Sequence, residues 1–183
     1  MTLDALFDLL RAARQLCGHA EYVVVGSVSV LGMSEVTALP ADMTISIDAD
    51  CYTRLDPGRV FDLQHALGEA SDYHREHGIY LDPVSPKLPT LPEGWEARLI
   101  RLTRDGVVAA FLDPNDAAIS KLARSEPRDL RWVRAGLQAG LVSLPVLRLR
   151  SRDTSYLDET EHARVVGALD TLAALPRKAA HKR

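Results

Sequence analysis

Between residues 43 and 52 apolar and polar side chains alternate without a break: Met43, Ile45, Ile47, Ala49 and Cys51 fall on one side, Thr44, Ser46, Asp48, Asp50 and Tyr52 on the other. Successive side chains of a strand point to opposite faces, so the pattern predicts a half-buried β-strand that carries two carboxylates on one face. The chain just before it predicts a neighbour for that strand. Residues 21–26 (EYVVVG) are short, β-branched and closed by glycine, and from Ser27 the apolar positions Val28, Val30 and Leu31 follow a helical pattern that stops at Gly32. Strand, glycine-serine turn and short helix therefore precede the acid-bearing strand, with residues 33–41 read as a loop.

Around this nucleus the remaining elements are predicted from period and punctuation. Leu3, Leu6, Phe7, Leu10 and Ala13 recur at helical spacing, giving an opening helix over 3–17 ended by Gly18. Asp56 is placed as the cap of a helix through Leu67, opened by Pro57. Residues 78–82 are read as a strand ending in Asp82. The proline-dense stretch 83–92 cannot sustain a helix or a central strand and is read as an ordered loop and the best linker candidate. Residues 97–103 and 107–112, parted by Arg104-Asp105-Gly106, predict a hairpin. Asp113-Pro114 and Glu126-Pro127 open two helices, residues 157–175 supply a long last one, and the basic 177–183 is read as a mobile tail. The expected organisation is an α/β (α+β) core over 1–112 followed by a helical part over 113–183 packed on it. Trp132, with Leu130, Val133 and Leu137, is assigned to the core, and Trp95 to anchoring its loop against that core.

Composition narrows the setting. With 46% apolar and 26% charged residues among 183, the chain matches an ordinary globular domain. No apolar run approaches the ~20 residues that cross a bilayer, and the N-terminal segment lacks the basic-then-apolar order of an export signal, so no membrane association and a cytoplasmic location are expected. Cys17 and Cys51 have neither zinc-ligand nor disulfide-framework spacing. Charge divides along the chain: residues 1–93 hold 6 Lys+Arg against 14 Asp+Glu, and the rest hold 16 against 11. Between Lys121 and Arg152 there are eight basic residues and two acidic ones. That cluster is either a solvated helix face or a phosphate-binding surface.

The pieces fit phosphoryl transfer. Magnesium prefers carboxylate oxygens together with water and substrate phosphate, so Asp48 and Asp50, two positions apart on one strand, are the candidate metal ligands. The Gly26-Ser27 turn brings backbone amides and a hydroxyl towards a phosphate. Lys121 sits among apolar helical neighbours, an unusual place for a lysine, where its amine would act as a point charge on phosphate. Asp129 either orients Lys121, acts as a base or is an ordinary first-turn acid. Ser46 either positions metal or ligand or is a plain strand hydroxyl, and Asp82 either adds a third carboxylate or caps a turn. Arg124, Arg128 and Arg131 border the site as candidate RNA contacts. No Ser-His-Asp order or GxSxG elbow supports acyl transfer.

Five ordered strings carry a resemblance: Val25-Gly-Ser-Val-Ser-Val-Leu31, Ser46-Ile-Asp-Ala-Asp50, Leu91-Pro-Glu-Gly-Trp95, Asp113-Pro-Asn-Asp-Ala-Ala-Ile-Ser-Lys-Leu122 and Arg128-Asp-Leu130. Over roughly residues 20–150 they resemble the DUF6036 type of nucleotidyltransferases, relatives of the MenT and AbiEii toxins of bacterial toxin–antitoxin systems. The resemblance implies a minimal polymerase-β-like core and Mg²⁺-dependent transfer of nucleotides, pyrimidines in characterised relatives, from a nucleoside triphosphate to the 3′ end of tRNA. It also implies a cognate antitoxin that occludes the site or modifies Ser46. In that scheme Gly26, Ser27, Ser46 and Lys121 bind nucleotide, Asp48 and Asp50 bind metal, and Lys121 and Asp129 complete the catalytic set. Twenty residues separate Ser27 from Asp48, a longer gap than broader nucleotidyltransferases use. The alternatives are the same chemistry on a protein or on a small molecule such as an antibiotic, and a catalytically silent nucleotide-binding module.

Overall fold

The computed structural model describes residues 1–35 and 37–174. The expected tail over 177–183 and the last residue of the predicted final helix lie outside them. Helix α1 (Leu3–Cys17) starts where the Thr2 hydroxyl accepts the Ala5 amide and stops at Gly18 in left-handed conformation. It buries Leu6, Phe7, Leu10 and Ala13, as its spacing predicts. Strand β1 (Glu21–Val24) leads to a 3-10 segment, Ser27–Met33. Next come a single helical turn α2 (Ala41–Thr44) and strand β2 (Asp48–Thr53). A second 3-10 segment, Pro57–Leu63, runs into α3 (Gln64–Leu67), followed by α4 (Asp72–His77) and β3 (Tyr80–Pro83). Trp95–Arg98 is also 3-10 and precedes the hairpin of β4 (Ile100–Arg104) and β5 (Val107–Phe111). Four helices close the chain: α5 (Pro114–Arg124), α6 (Pro127–Gln138), α7 (Leu144–Arg150) and α8 (Glu159–Ala174).

The strands form one mixed sheet in the order β3-β2-β1-β5-β4. β1 is antiparallel to β2 and parallel to β5, β2 is parallel to β3, and β4 is antiparallel to β5. This topology brings the chemistry to one end of the sheet. β1 ends at Val24 opposite Cys51, so the Gly26 turn lies beside the start of β2, where Asp48 and Asp50 stand. β3 places Asp82 directly across from Asp50. Parallel pairing of Val24 with Phe111 makes β5 end at the same edge, where Asp113-Pro114 opens α5. The result is an α+β core: a five-stranded mixed sheet with helices packed on it.

Several expectations need correction. The strand predicted over 43–52 begins only at Asp48. Pro40 starts a helical turn in which the Met43 amide bonds the Pro40 carbonyl, so Met43 is buried from a helix while Ile45 is 80% exposed. An alternating run of Met, Thr, Ile and Ser satisfies either template until a proline decides. Asp56 stands at the expected boundary but makes no side-chain cap. Helix α4 was missed because its apolar content is too low for a period, and Ser71 caps it. Helix α7 was also unanticipated, and the last helix starts at Glu159 rather than at the exposed Leu157. Trp132 is buried and Trp95 packs half-buried on the core, both as read.

The basic cluster does not form one surface. Arg150 turns inward and bonds Asp113 and fully buried Asp116, which also accepts two hydrogen bonds from Arg98, at 2.8 and 3.1 Å. Buried carboxylates need such partners, so these arginines join α7, α5 and the segment before β4 instead of facing a ligand. Arg148 pairs with Asp170 on the surface.

Candidate active site

Asp48, Asp50 and Asp82 meet at the end of the sheet, each half-buried, with one carboxylate oxygen of each within 4.8 Å of the others. Three acids this close repel one another. Burial, then Asp48 and Asp82, push the Asp50 carboxyl up to about 7, while Lys121 and Arg124 only partly counter them. Burial, Asp48 and Glu69 raise Asp82 as well. The Ser46 hydroxyl donates to Asp48 Oδ1, although Ser46 lies ahead of the strand rather than on it. Of the two readings left open for Asp82, the structure places its carboxylate with the other acids.

Gly26 faces them with a backbone that only glycine adopts readily, φ 64° and ψ −151°. A Cβ built there would stand 1.8 Å from Asp50 Oδ2, so the missing side chain is what lets the carboxylate reach the turn. Gly26→Ala is expected to displace Asp50 and cost about 1–3 kcal/mol of stability. Thermal melting checks this. An alanine variant with wild-type stability would refute the close approach.

Across the turn, Lys121 extends from α5 with only 3% of its side chain exposed. Its Nζ donates to Ser27 Oγ at 2.9 Å and to Asp129 Oδ1 at 3.3 Å, and lies 5.0 Å from the centre of the Trp132 ring. Burial pushes the ammonium below its ordinary value and Asp129 opposes that fall. Asp129 also accepts two bonds from Arg124, both 2.7 Å. Burial alone would raise its carboxyl; the Arg124 hydrogen bonds and the Lys121 charge outweigh it and hold the group below the ordinary carboxylate range. Of the three readings of Asp129, the geometry therefore favours orientation of Lys121. A carboxylate 1% exposed and gripped by two cations is a poor base. Trp132 braces the arrangement from below: its indole N–H donates to the carbonyls of Ser27 and Met43, tying the glycine-serine turn to the segment that leads into β2.

A cavity of about 290 Å³ opens between these groups, lined by Val25, Gly26, Asp50, Ser120, Lys121 and Arg124. Leu88, Pro89 and Thr90 line it too, together with Glu161 and Arg164 of α8. The proline-dense stretch is thus not a spacer between separate units. Thr90 Oγ1 donates to Glu161 Oε1 at 2.9 Å, and the Glu93 amide donates to the Asp153 carbonyl, so the loop is fastened to the last quarter of the chain. Glu161 and Arg164 were not found from the sequence. The available signal was Asp158-x-x-Glu161: Asp158 accepts the Glu161 amide and Glu161 reaches back to the Leu157 amide, as in a capping box. Of the three candidate RNA contacts, Arg124 lines the cavity, whereas Arg128, paired with Glu126, and Arg131 are exposed on α6 outside it.

The donor set fits a hard divalent cation. It supplies carboxylate oxygens from three residues, all within 4.8 Å of one another, as such an ion requires. Lys121 and the Gly26 turn line the same cavity as Asp50, and with Ser27, which Lys121 bonds, they are groups suited to an anion. Compared with known families, residues 4–170 match the model of a family described as "Nucleotidyltransferase of unknown function (DUF6036)". Comparison with curated proteins and with solved structures yields no match.

Proposed function

The chain belongs to the DUF6036 family of nucleotidyltransferases, and on that premise we propose that it transfers a nucleotide, a pyrimidine by preference, from a nucleoside triphosphate to the 3′ acceptor end of tRNA, acting as the toxin of a toxin–antitoxin pair. The observation that carries the transferase part is a cluster of three carboxylates, Asp48, Asp50 and Asp82, whose Asp50 lines one cavity with Gly26 and with Lys121, the amine that bonds Ser27. In this reading Asp48 and Asp50, with Asp82 as a third ligand, hold Mg²⁺, which neutralises charge on the α-phosphate and on the leaving oxygen. The Gly26 turn and the Lys121 ammonium bind phosphate oxygens. Asp129 keeps Lys121 extended and charged, and Trp132 holds Ser27 in place. The acceptor hydroxyl attacks the α-phosphorus, a new O–P bond forms, the bond to the β-phosphate oxygen breaks to release pyrophosphate, and the hydroxyl's proton passes to solvent.

The tRNA acceptor and the toxin role rest on the family resemblance of the five sequence strings. The exposed guanidiniums of Arg128 and Arg131 support them, as basic groups open to a polyanion on the helix that also carries Asp129. The test incubates purified protein with each α-labelled triphosphate, total tRNA and Mg²⁺. Label at the tRNA 3′ end, lost when that end is first oxidised with periodate, is the expected result. Label only on protein or on a small-molecule acceptor would overturn the tRNA assignment. Absence of transfer to every acceptor class, with retained triphosphate binding, would favour a silent nucleotide-binding module.

A further inference from the structure

We propose that Arg164 is a ligand for the terminal phosphates of the triphosphate, the part that leaves as pyrophosphate; this rests on the nucleotidyltransferase reading of the same cavity. The cavity lined by Asp50, Gly26 and Lys121 is lined by Arg164 as well, brought there by the packing of α8 on α5. Its guanidinium is anchored, because one N–H group donates to the carbonyl of Ala123 near the C-terminal end of α5. Of five guanidinium N–H donors that contact uses one.

Charge accounting separates Arg164 from the other cations of the cavity. Lys121 and Arg124 are both engaged by Asp129, whereas among the described residues Arg164 has no carboxylate oxygen within 4 Å. Glu161, one turn earlier on α8, makes no ion pair with it: one oxygen accepts from Thr90 and the other from the Leu157 amide. An arginine that is held in place, lines the cavity that Asp50 also lines and keeps several donors unspent is suited to the planar, multiple recognition of phosphate. A nucleotide whose α-phosphate lies at the carboxylates has its remaining phosphates in the same cavity, where Lys121, Arg124 and Arg164 are the lining cations. The competing account is structural: a guanidinium on a helix-end carbonyl also serves as a C-terminal cap.

The two accounts part in binding. Equilibrium titration of the whole chain with the four nucleoside triphosphates and the matching monophosphates, in Mg²⁺, is compared for wild type, Arg164→Gln and Arg164→Lys, with melting temperatures in parallel. The expected result is roughly tenfold weaker triphosphate binding by the glutamine variant, as for loss of a charge-assisted contact. Monophosphate affinity stays unchanged, and the lysine variant is intermediate. A lower melting temperature with unchanged triphosphate affinity would overturn the proposal in favour of the cap, as would equal losses for tri- and monophosphate. Unchanged nucleotide affinity with weaker tRNA binding would overturn it in favour of a contact to the acceptor backbone. Failure of the wild type to bind any triphosphate strikes instead at the nucleotidyltransferase reading itself.

Discussion

Replacing Asp50 by asparagine is expected to abolish measurable nucleotide transfer while making the metal-free protein more stable. The first half follows from position. Asp50 stands between Asp48 and Asp82, across from the Gly26 turn, and supplies an oxygen to the cluster that fits a divalent cation. Losing a group that stabilises transition-state charge typically costs about a hundred- to a thousandfold in rate, and here one substitution weakens the metal and the phosphate geometry together. The second half follows from the direction of the proton equilibrium. In the folded chain the Asp50 carboxyl lies at about 7, against an ordinary 3.8. A carboxyl raised by folding contributes stability that is present below the ordinary value and is lost as pH rises through the folded value. Metal-free wild type should therefore lose stability between about pH 4 and 7, and the asparagine variant should lose less. Melting curves with and without Mg²⁺ check this. At pH 8 the variant is expected to melt higher than metal-free wild type, and Mg²⁺ is expected to raise the wild type but not the variant. A variant destabilised at pH 8 would contradict the charge-repulsion account.

Lys121→Met is expected to lower transfer by about a hundred- to a thousandfold, with only a small change in melting temperature. Methionine keeps an unbranched apolar stem against Trp132 and removes the charge that bonds Ser27. Removing one partner of a buried ion pair ordinarily costs several kcal/mol because the other charge is stranded. Here Asp129 stays satisfied by its two 2.7 Å bonds from Arg124. Asp129→Ala is the instructive contrast, since it leaves a buried ammonium without a carboxylate and is expected to lower the melting temperature sharply. If Lys121→Met keeps full activity, the amine is a structural strut; if it unfolds the chain, Arg124 does not carry Asp129 as described.

Most of the site was legible because its residues are unusual for their local surroundings. A glycine-serine pair after a β-branched run, two acids two positions apart and a lysine on an apolar helix face each break the rule of their element, and the sheet topology brings them together. Local pattern failed where one sequence supports two structures. The run from Met43 to Ile47 alternates as a strand should, yet Pro40 and the indole bond from Trp132 to the Met43 carbonyl favour a helical turn. Charge density misled in a different way. Arg150 counts as basic surface in the sequence but is spent inside on Asp113 and Asp116, a pairing that depends on α7, which has too few residues to announce itself. The cavity's outer wall was invisible for a simpler reason. Thr90 and Glu161 are 71 positions apart, and nothing in either neighbourhood signals the other.

The central claim is that the three carboxylates hold a divalent cation against a nucleotide's phosphates. The most direct test is a crystal of the chain grown with Mn²⁺ and a non-hydrolysable nucleoside triphosphate, with the metal located by its anomalous scattering. A peak within coordinating distance of Asp48 and Asp50 that also touches the nucleotide's phosphates is the predicted result. Nucleotide bound in the cavity with the metal elsewhere, or metal at the acids with the nucleotide bound away from Ser27 and Lys121, would contradict it.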